Sequence, residues 1–218
     1  KEMLALLERI YEYPVDIEFT ANFSRDSHFK INLLQCRPLQ TRGLGRAVAM
    51  PDPGDTADCV FATSGNFMGG NTHLRFDYVI MVRPETYKAL PDRDKYSIAR
   101  QIGQLNTKLK GRSVLLMGPG RWGTTTPSLG VPVHFSEPSQ MAVICEVSSP
   151  EAGFMPELSY GSHFFQDLVE AGIFYVALFA GQPNVVFQPD KILQRENRLL
   201  ELLPQSTAWA DVIHVAQA

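Results

Sequence analysis

The chain has 218 residues, of which 44% are hydrophobic, and a formal net charge of -3. This composition supports a packed core, and the mixed acids and bases exclude the basic surface that nucleic acid or an anionic membrane requires. No apolar stretch approaches the roughly 20 residues of a membrane-spanning helix. The three cysteines lack metal-ligand spacing, so we expect reduced thiols in a cytoplasmic protein.

The first 38 residues predict a helix followed by a β-hairpin. Apolar residues recur at helical spacing from Lys1 to Tyr11, and Pro14 ends that predicted helix. Segments 15–22 and 29–36 are rich in strand formers and are close enough in the chain to form a hairpin. Because the sequence begins at Lys1 without an initiator or an apolar leader, we expect a fragment or a processed product.

A connector rich in glycine and proline at 41–54 precedes a longer region in which strands and helices interleave. The predicted strands are 58–63, 78–82, 113–117, 141–147, 173–179, 185–188 and a last one near Val212. The predicted helices are a short one opened by Pro84, then 92–110, 162–171 and about 189–203, while 65–71 and 118–130 are predicted loops. This order predicts an α/β or α+β fold with a mixed sheet and flanking helices.

The predicted hairpin gathers polar residues on one face. Alternate residues of a strand share a face, so Asp16 and Glu18 point the same way, as do Gln35 and Arg37. With the turn centred between residues 26 and 27, Glu18 lies opposite Gln35 and Asp16 lies opposite Arg37. Two carboxylates and an amide suit Mg²⁺, and a guanidinium suits a phosphate. The alternative is a structural hairpin with an Asp16–Arg37 ion pair and no ligand.

The segments YPVDIEFT and INLLQCRPLQT resemble the end of the ATP-grasp domain of phosphoenolpyruvate synthases and pyruvate phosphate dikinases. There, a D-x-E strand precedes an L-Q-x-R-P strand. The resemblance covers about the first fifth of the chain and implies ATP and Mg²⁺ as cofactors. It implies that Asp16, Glu18 and Gln35 line the γ-phosphate and metal site, with Glu18 and Gln35 as metal ligands. It also implies that Arg37 contacts the phosphate and is catalytic.

The same resemblance implies further parts that we do not find in this sequence. The other ATP-grasp lobe would precede Lys1 and would be the main partner of the hairpin. Pyruvate is the implied phosphoacceptor, but its barrel domain is missing. The nearest match to the phosphorylatable histidine motif of the family ends at His73, is one residue short and lacks the Ala-Ala pair, so we interpret His73 as a loop residue. The GPGRWG and GSHFFQ segments resemble the tail of phosphoenolpyruvate-synthase-like proteins.

A second candidate site follows the predicted strand 113–117. Gly118 and Gly120 would let backbone N–H groups approach an anion, and Arg121 and Thr124 would add side-chain contacts. The segment is neither a Walker loop nor a dinucleotide fingerprint. The alternative is a structural loop in which Trp122 packs as a plug.

The predicted helix at 162–171 could complete that anion site. Ser162 is a plausible N-cap, and His163 lies in the first turn, where a helix attracts anions. The alternative for His163 is a capping or packing role. Glu146 ends an apolar strand and is interpreted as a rim residue.

Two hypotheses follow for a chain divided into 1–41, the end of an ATP-grasp domain, and 42–218, an α/β domain. In the first, the chain is a fragment of an ATP-dependent phosphotransferase, a kinase-like enzyme that is inactive without its other lobe. In the second, it is a non-catalytic or regulatory module that binds a small anion through Gly118–Gly123 and the helix start at Ser162.

Overall fold

The computed structural model describes residues 1–24, 26, 28–38, 48–49, 59–148, 153, 159 and 162–218. The chain divides into two compact units, Lys1–Thr41 and Arg42–Ala218. The predicted connector at 41–54, apart from 48–49, lies outside the described residues. So do Ser27 of the predicted turn, Asp58 of the predicted strand 58–63, and Gly161, which precedes the predicted helix at 162–171.

The first unit contains helix α1 (Glu2–Tyr11) and the antiparallel strands β1 (Val15–Phe23) and β2 (Phe29–Pro38). The predicted helix and hairpin are therefore confirmed. Helix α1 ends because Glu12 adopts a left-handed conformation with φ 52°, and its N–H donates to the Glu8 carbonyl. None of the described residues of this unit is buried.

The second unit is built on a six-stranded mixed sheet with the order β12-β5-β6-β9-β10-β4. Its strands in chain order are β4 (Phe67–Met68), β5 (Tyr78–Val82), β6 (Val114–Pro119), β9 (Val143–Ser148), β10 (Phe174–Phe179) and β12 (Ile213–Gln217). The central four are parallel, and an antiparallel strand closes each edge. Two short two-stranded sheets accompany it. In one, β3 (Phe61–Ala62) pairs with β11 (Val186–Phe187) in the antiparallel direction. In the other, β7 (Arg121–Trp122) pairs with β8 (Gly130–Val131) in the parallel direction.

Both faces of this sheet are covered, so its central strands are apolar on both sides. The helices of the unit are α2 (Pro84–Lys88), α3 (Asp92–Lys108), α4 (His163–Ala171), α5 (Asp190–Leu193) and α6 (Leu199–Leu202). One apolar cluster packs α3, α4 and α6 against alternate strand residues such as Ile80 and Leu116. A second packs α5 and the β3–β11 pair against the intervening residues, such as Met81 and Leu115.

These elements confirm a mixed α/β arrangement of sheet and helices. None of the helices in the described part of the chain has the length and apolarity needed to cross a membrane.

The predicted helix at 189–203 is wrong, because the segment forms two short helices separated by residues 194–198, which include Asn197. The Asn197 side chain accepts the N–H groups of Leu199 and Val215 and donates to the carbonyls of Ala210 and Ile213. These bonds tie the interruption to the last strand and replace continuous helical hydrogen bonding.

The two predicted glycine-rich loops are also partly wrong. Strand β6 extends through Pro119, and β7 and β8 pair within 118–131. Strand β4 lies within 65–71 and pairs with β10, where the rings of Phe67 and Phe174 stack with centroids 6.2 Å apart. Two-residue strands are too short to show a periodic pattern, and they form here because a partner segment completes their backbone hydrogen bonding.

Candidate functional site

The hairpin of the first unit has the register that the sequence predicts at its polar end. Asp16 pairs with Arg37, and Glu18 pairs with Gln35. Directly opposed residues of an antiparallel pair lie on the same face, so the side chains of these four residues share one surface.

That register does not continue to the turn. Phe19 pairs with Leu33, so Leu34 is an extra residue, and the ladder shifts between Glu18 and Phe19. Such a bulge bends a strand and increases its twist, and bulges are frequent beside functional sites. Beyond it Thr20 pairs with Asn32, whose amide donates to the Thr20 hydroxyl at 3.3 Å.

The four polar side chains differ in what they already bind. Arg37 Nε donates to Asp16 Oδ2 at 3.2 Å, with 31% and 34% of the two side chains exposed. A partly exposed pair of this kind contributes at most about 1 kcal/mol to stability. Among the described residues, the Glu18 carboxylate and the Gln35 amide form no hydrogen bond or ion pair.

The carboxylate and amide oxygens on this surface are of the kind that Mg²⁺ prefers in sites where a phosphate supplies the remaining ligands. No group of three or more His, Cys, Asp or Glu side chains with metal-binding geometry occurs among the described residues. Mg²⁺ in nucleotide sites needs fewer protein ligands, because one or two carboxylates suffice when phosphate oxygens and water fill the remaining positions. The uncommitted oxygens of Glu18 and Gln35 therefore fit Mg²⁺ bound together with a phosphate.

The glycine segment of the second unit uses its backbone donors internally. The N–H groups of Gly120, Arg121 and Gly123 donate to the carbonyls of Val147, Leu129 and Val131 at 2.9–3.1 Å. The N–H of Trp122 donates to Glu146 Oε1 at 3.0 Å. These amides are therefore not available as an anion cradle in this conformation.

The glycines of this segment are explained by close packing. A Cβ on Gly118 would lie 2.5 Å from Trp122 Cζ2, and one on Gly123 would lie 2.4 Å from Phe164 Cγ. The Trp122 side chain is fully buried and donates its indole N–H to the Cys145 carbonyl at 3.0 Å. The sequence alternative in which Trp122 packs as a plug describes this arrangement.

The contact between Gly123 and Phe164 brings the glycine segment to the start of α4, where Ser162 and Thr124 form local hydrogen bonds. Ser162 caps α4 by accepting the Phe165 N–H at 3.2 Å, and its hydroxyl donates to the Ser159 carbonyl at 2.7 Å. The Thr124 hydroxyl donates to the Thr126 carbonyl. Arg121 is half-buried, and His163 is exposed.

Glu146 is the polar residue that the sequence interpretation placed wrongly. It is not a rim residue, because only 2% of it is exposed. Its carboxylate accepts hydrogen bonds from Tyr175 Oη at 2.6 Å, from the Trp122 N–H, and from both the hydroxyl and the N–H of Ser159. Burial raises the pKa of Glu146, and these hydrogen bonds oppose the rise. The sequence feature that could have predicted this burial is the position of an acidic residue within a strand that is apolar on both faces.

No family model matches this chain, and neither does any curated protein or solved structure. The class that the fold and site define is a mixed α/β protein with a six-stranded sheet, together with a separate helix and hairpin unit that carries an acid, amide and guanidinium surface.

Proposed function

We propose that this chain contributes the Mg-ATP phosphate contacts of an ATP-dependent phosphotransferase that resembles phosphoenolpyruvate synthase and pyruvate phosphate dikinase. The observation that carries the proposal is the pairing of Glu18 with Gln35 beside the Asp16–Arg37 ion pair. This pairing puts two uncommitted oxygen donors and an oriented cation on one accessible surface. The hairpin would be the end of an ATP-grasp domain.

Each residue has a distinct role in the proposed site. Glu18 and Gln35 would present oxygens to Mg²⁺, which when bound neutralises phosphate charge. Arg37 would offset the charge on the oxygens of the transferred phosphoryl group. Asp16 orients Arg37 by accepting the hydrogen bond from Nε. Pyruvate is the acceptor that the resemblance suggests.

The exposed apolar surface of the first unit supports the proposal. Phe19, Phe23, Phe29 and Ile10 are each at least half exposed, and α1 has no buried residue. A two-stranded hairpin with one helix is marginal in water unless another layer covers its apolar face. Such a layer is what the other lobe of an ATP-grasp domain would supply.

We expect Glu18→Gln to reduce ATP turnover at least about 100-fold in the full-length protein that carries this segment, because the carboxylate ligand is lost. Turnover is measured as ATP consumption with Mg²⁺ and pyruvate, with circular dichroism as the test of folding. Glu8→Gln is the matched control, since it makes the same chemical change on the exposed surface of α1.

Equal turnover by the two variants would contradict the metal-binding role of the hairpin. A full-length protein that consumes no ATP with or without pyruvate would contradict the proposed activity itself.

A further inference from the structure

The last strand, β12, lies at one edge of the six-stranded sheet. The backbone groups of successive strand residues point in alternate directions. The bond from the Arg83 N–H to the Val212 carbonyl shows that the even-numbered residues face the neighbouring strand β5. The backbone groups of Ile213, Val215 and Gln217 therefore point outward, and an open edge of this kind can pair with a strand of another chain.

The segment 194–198, which joins α5 to α6 and which we call the strap, occupies this outer edge. The side-chain amide of Asn197 lies where a peptide group of an added strand would lie. Its Nδ2 donates to the Ile213 carbonyl at 3.0 Å, and its Oδ1 accepts the Val215 N–H at 2.9 Å. A primary amide can do both because it carries a donor and an acceptor, as a peptide group does.

Two further hydrogen bonds extend the strap along the strand. The Arg198 N–H donates to the Val215 carbonyl at 2.8 Å, and Arg195 Nη1 donates to the Gln217 carbonyl at 2.7 Å. The strap therefore binds outward-facing groups along β12 from residue 213 to residue 217 without being a strand itself.

The strand beneath the strap has the composition of a good pairing partner. Residues 213–216 are buried, and Ile213 and Val215 are β-branched, which favours a strand. Edge strands are commonly protected by lysine or proline, and β12 contains neither. Its protection comes instead from the strap.

We propose that the strap is a blocking device that prevents β12 from pairing with β12 of a second copy of this chain. Two β12 strands aligned antiparallel about Val215 form a symmetric pair. The two copies of Val215 would exchange both backbone hydrogen bonds, and each Ile213 carbonyl would accept a Gln217 N–H. The strap already binds the Ile213 carbonyl and both backbone groups of Val215, so the strap and a second copy exclude each other. This inference does not depend on the nucleotide role proposed for the first unit.

The test measures dimerisation of the full 218-residue chain by sedimentation velocity over a concentration series. We expect Asn197→Ala to dimerise at least about tenfold more tightly than the unsubstituted chain, because lost hydrogen bonds leave the strap open more often. Asn71→Ala, which removes an exposed asparagine of the same unit, should leave the dissociation constant of the dimer unchanged.

A second substitution distinguishes pairing through β12 from association through any other surface. Gln217→Pro changes an exposed residue of β12, removes an outward N–H and places a proline ring at the edge. Asn197→Ala/Gln217→Pro should therefore return to the weaker dimerisation of the unsubstituted chain.

Circular dichroism and the thermal midpoint first establish that each variant is folded. If Asn197→Ala does not fold, Asn197→Asp replaces it, because aspartate keeps an acceptor for the Val215 N–H and loses the donor to the Ile213 carbonyl. An unchanged dissociation constant in the folded variant at position 197 would overturn the proposal, as would tight dimerisation that persists with Gln217→Pro.

Discussion

Replacing Gly120 by alanine should destabilise the second unit by about 3 kcal/mol or more. Gly120 has φ +63°, and an added Cβ would lie 2.2 Å from the Leu129 carbonyl oxygen. The left-handed conformation costs a non-glycine residue about 1–2 kcal/mol, and the contact with backbone adds the cost of overpacking. The expected fall in thermal midpoint is roughly 10 °C. Tryptophan fluorescence reports on this unit alone, because Trp122 and Trp209 both lie in it.

Gly111→Ala is the matched control for this prediction. Gly111 also has a positive φ, +83°, but an added Cβ would meet nothing within 4 Å. Only the conformational cost remains, so we expect a loss of about 1 kcal/mol. If both variants lost the same stability, close packing would not be the reason for glycine at position 120.

Glu146→Leu should cost about 3–5 kcal/mol, since it removes the carboxylate that accepts hydrogen bonds from the Tyr175 hydroxyl and from the buried Trp122 N–H. Leucine is similar in size to glutamate, so a large cavity does not account for the loss. Urea unfolding followed by tryptophan fluorescence measures the free energy difference. Glu85→Leu makes the same change at an exposed position of α2 and should cost less than about 1 kcal/mol.

The same carboxylate should make stability depend on pH. Burial raises the folded-state pKa of Glu146 above its ordinary value of 4.5. Between pH 4.5 and the folded-state pKa, the folded chain therefore holds a proton that the unfolded chain has already released. The contribution of this raised pKa to the free energy of unfolding is therefore full below pH 4.5 and is lost as the pH rises through the folded-state pKa. Glu146→Gln cannot titrate and should lack this decline. A Glu146→Gln profile parallel to that of the unsubstituted chain would show that Glu146 does not titrate in this way.

Local patterns predicted the elements whose residues contact their own neighbours in the chain. The apolar stripe of α3, the Ser162 cap and the Gly172 end of α4 follow from spacing and capping chemistry alone. The pairing of Asp16 with Arg37 agrees with the predicted register, but it depends on the bulge, because the pairs nearer the turn are shifted by one residue. The bulge at Leu34 was not predictable, because one extra residue in a ladder leaves no mark on composition.

The sequence by itself therefore determined the order of strands and helices, the central residues of the longer ones, and which polar residues within each hairpin strand share a face. Only the tertiary structure decided that Glu146 is a buried acceptor, that Asn197 interrupts a helix, and that the strap covers the outer edge of β12. The physical reason is that secondary-structure patterns arise from contacts a few residues apart. Burial, hydrogen-bond satisfaction and the covering of a sheet edge depend instead on segments that folding alone brings together.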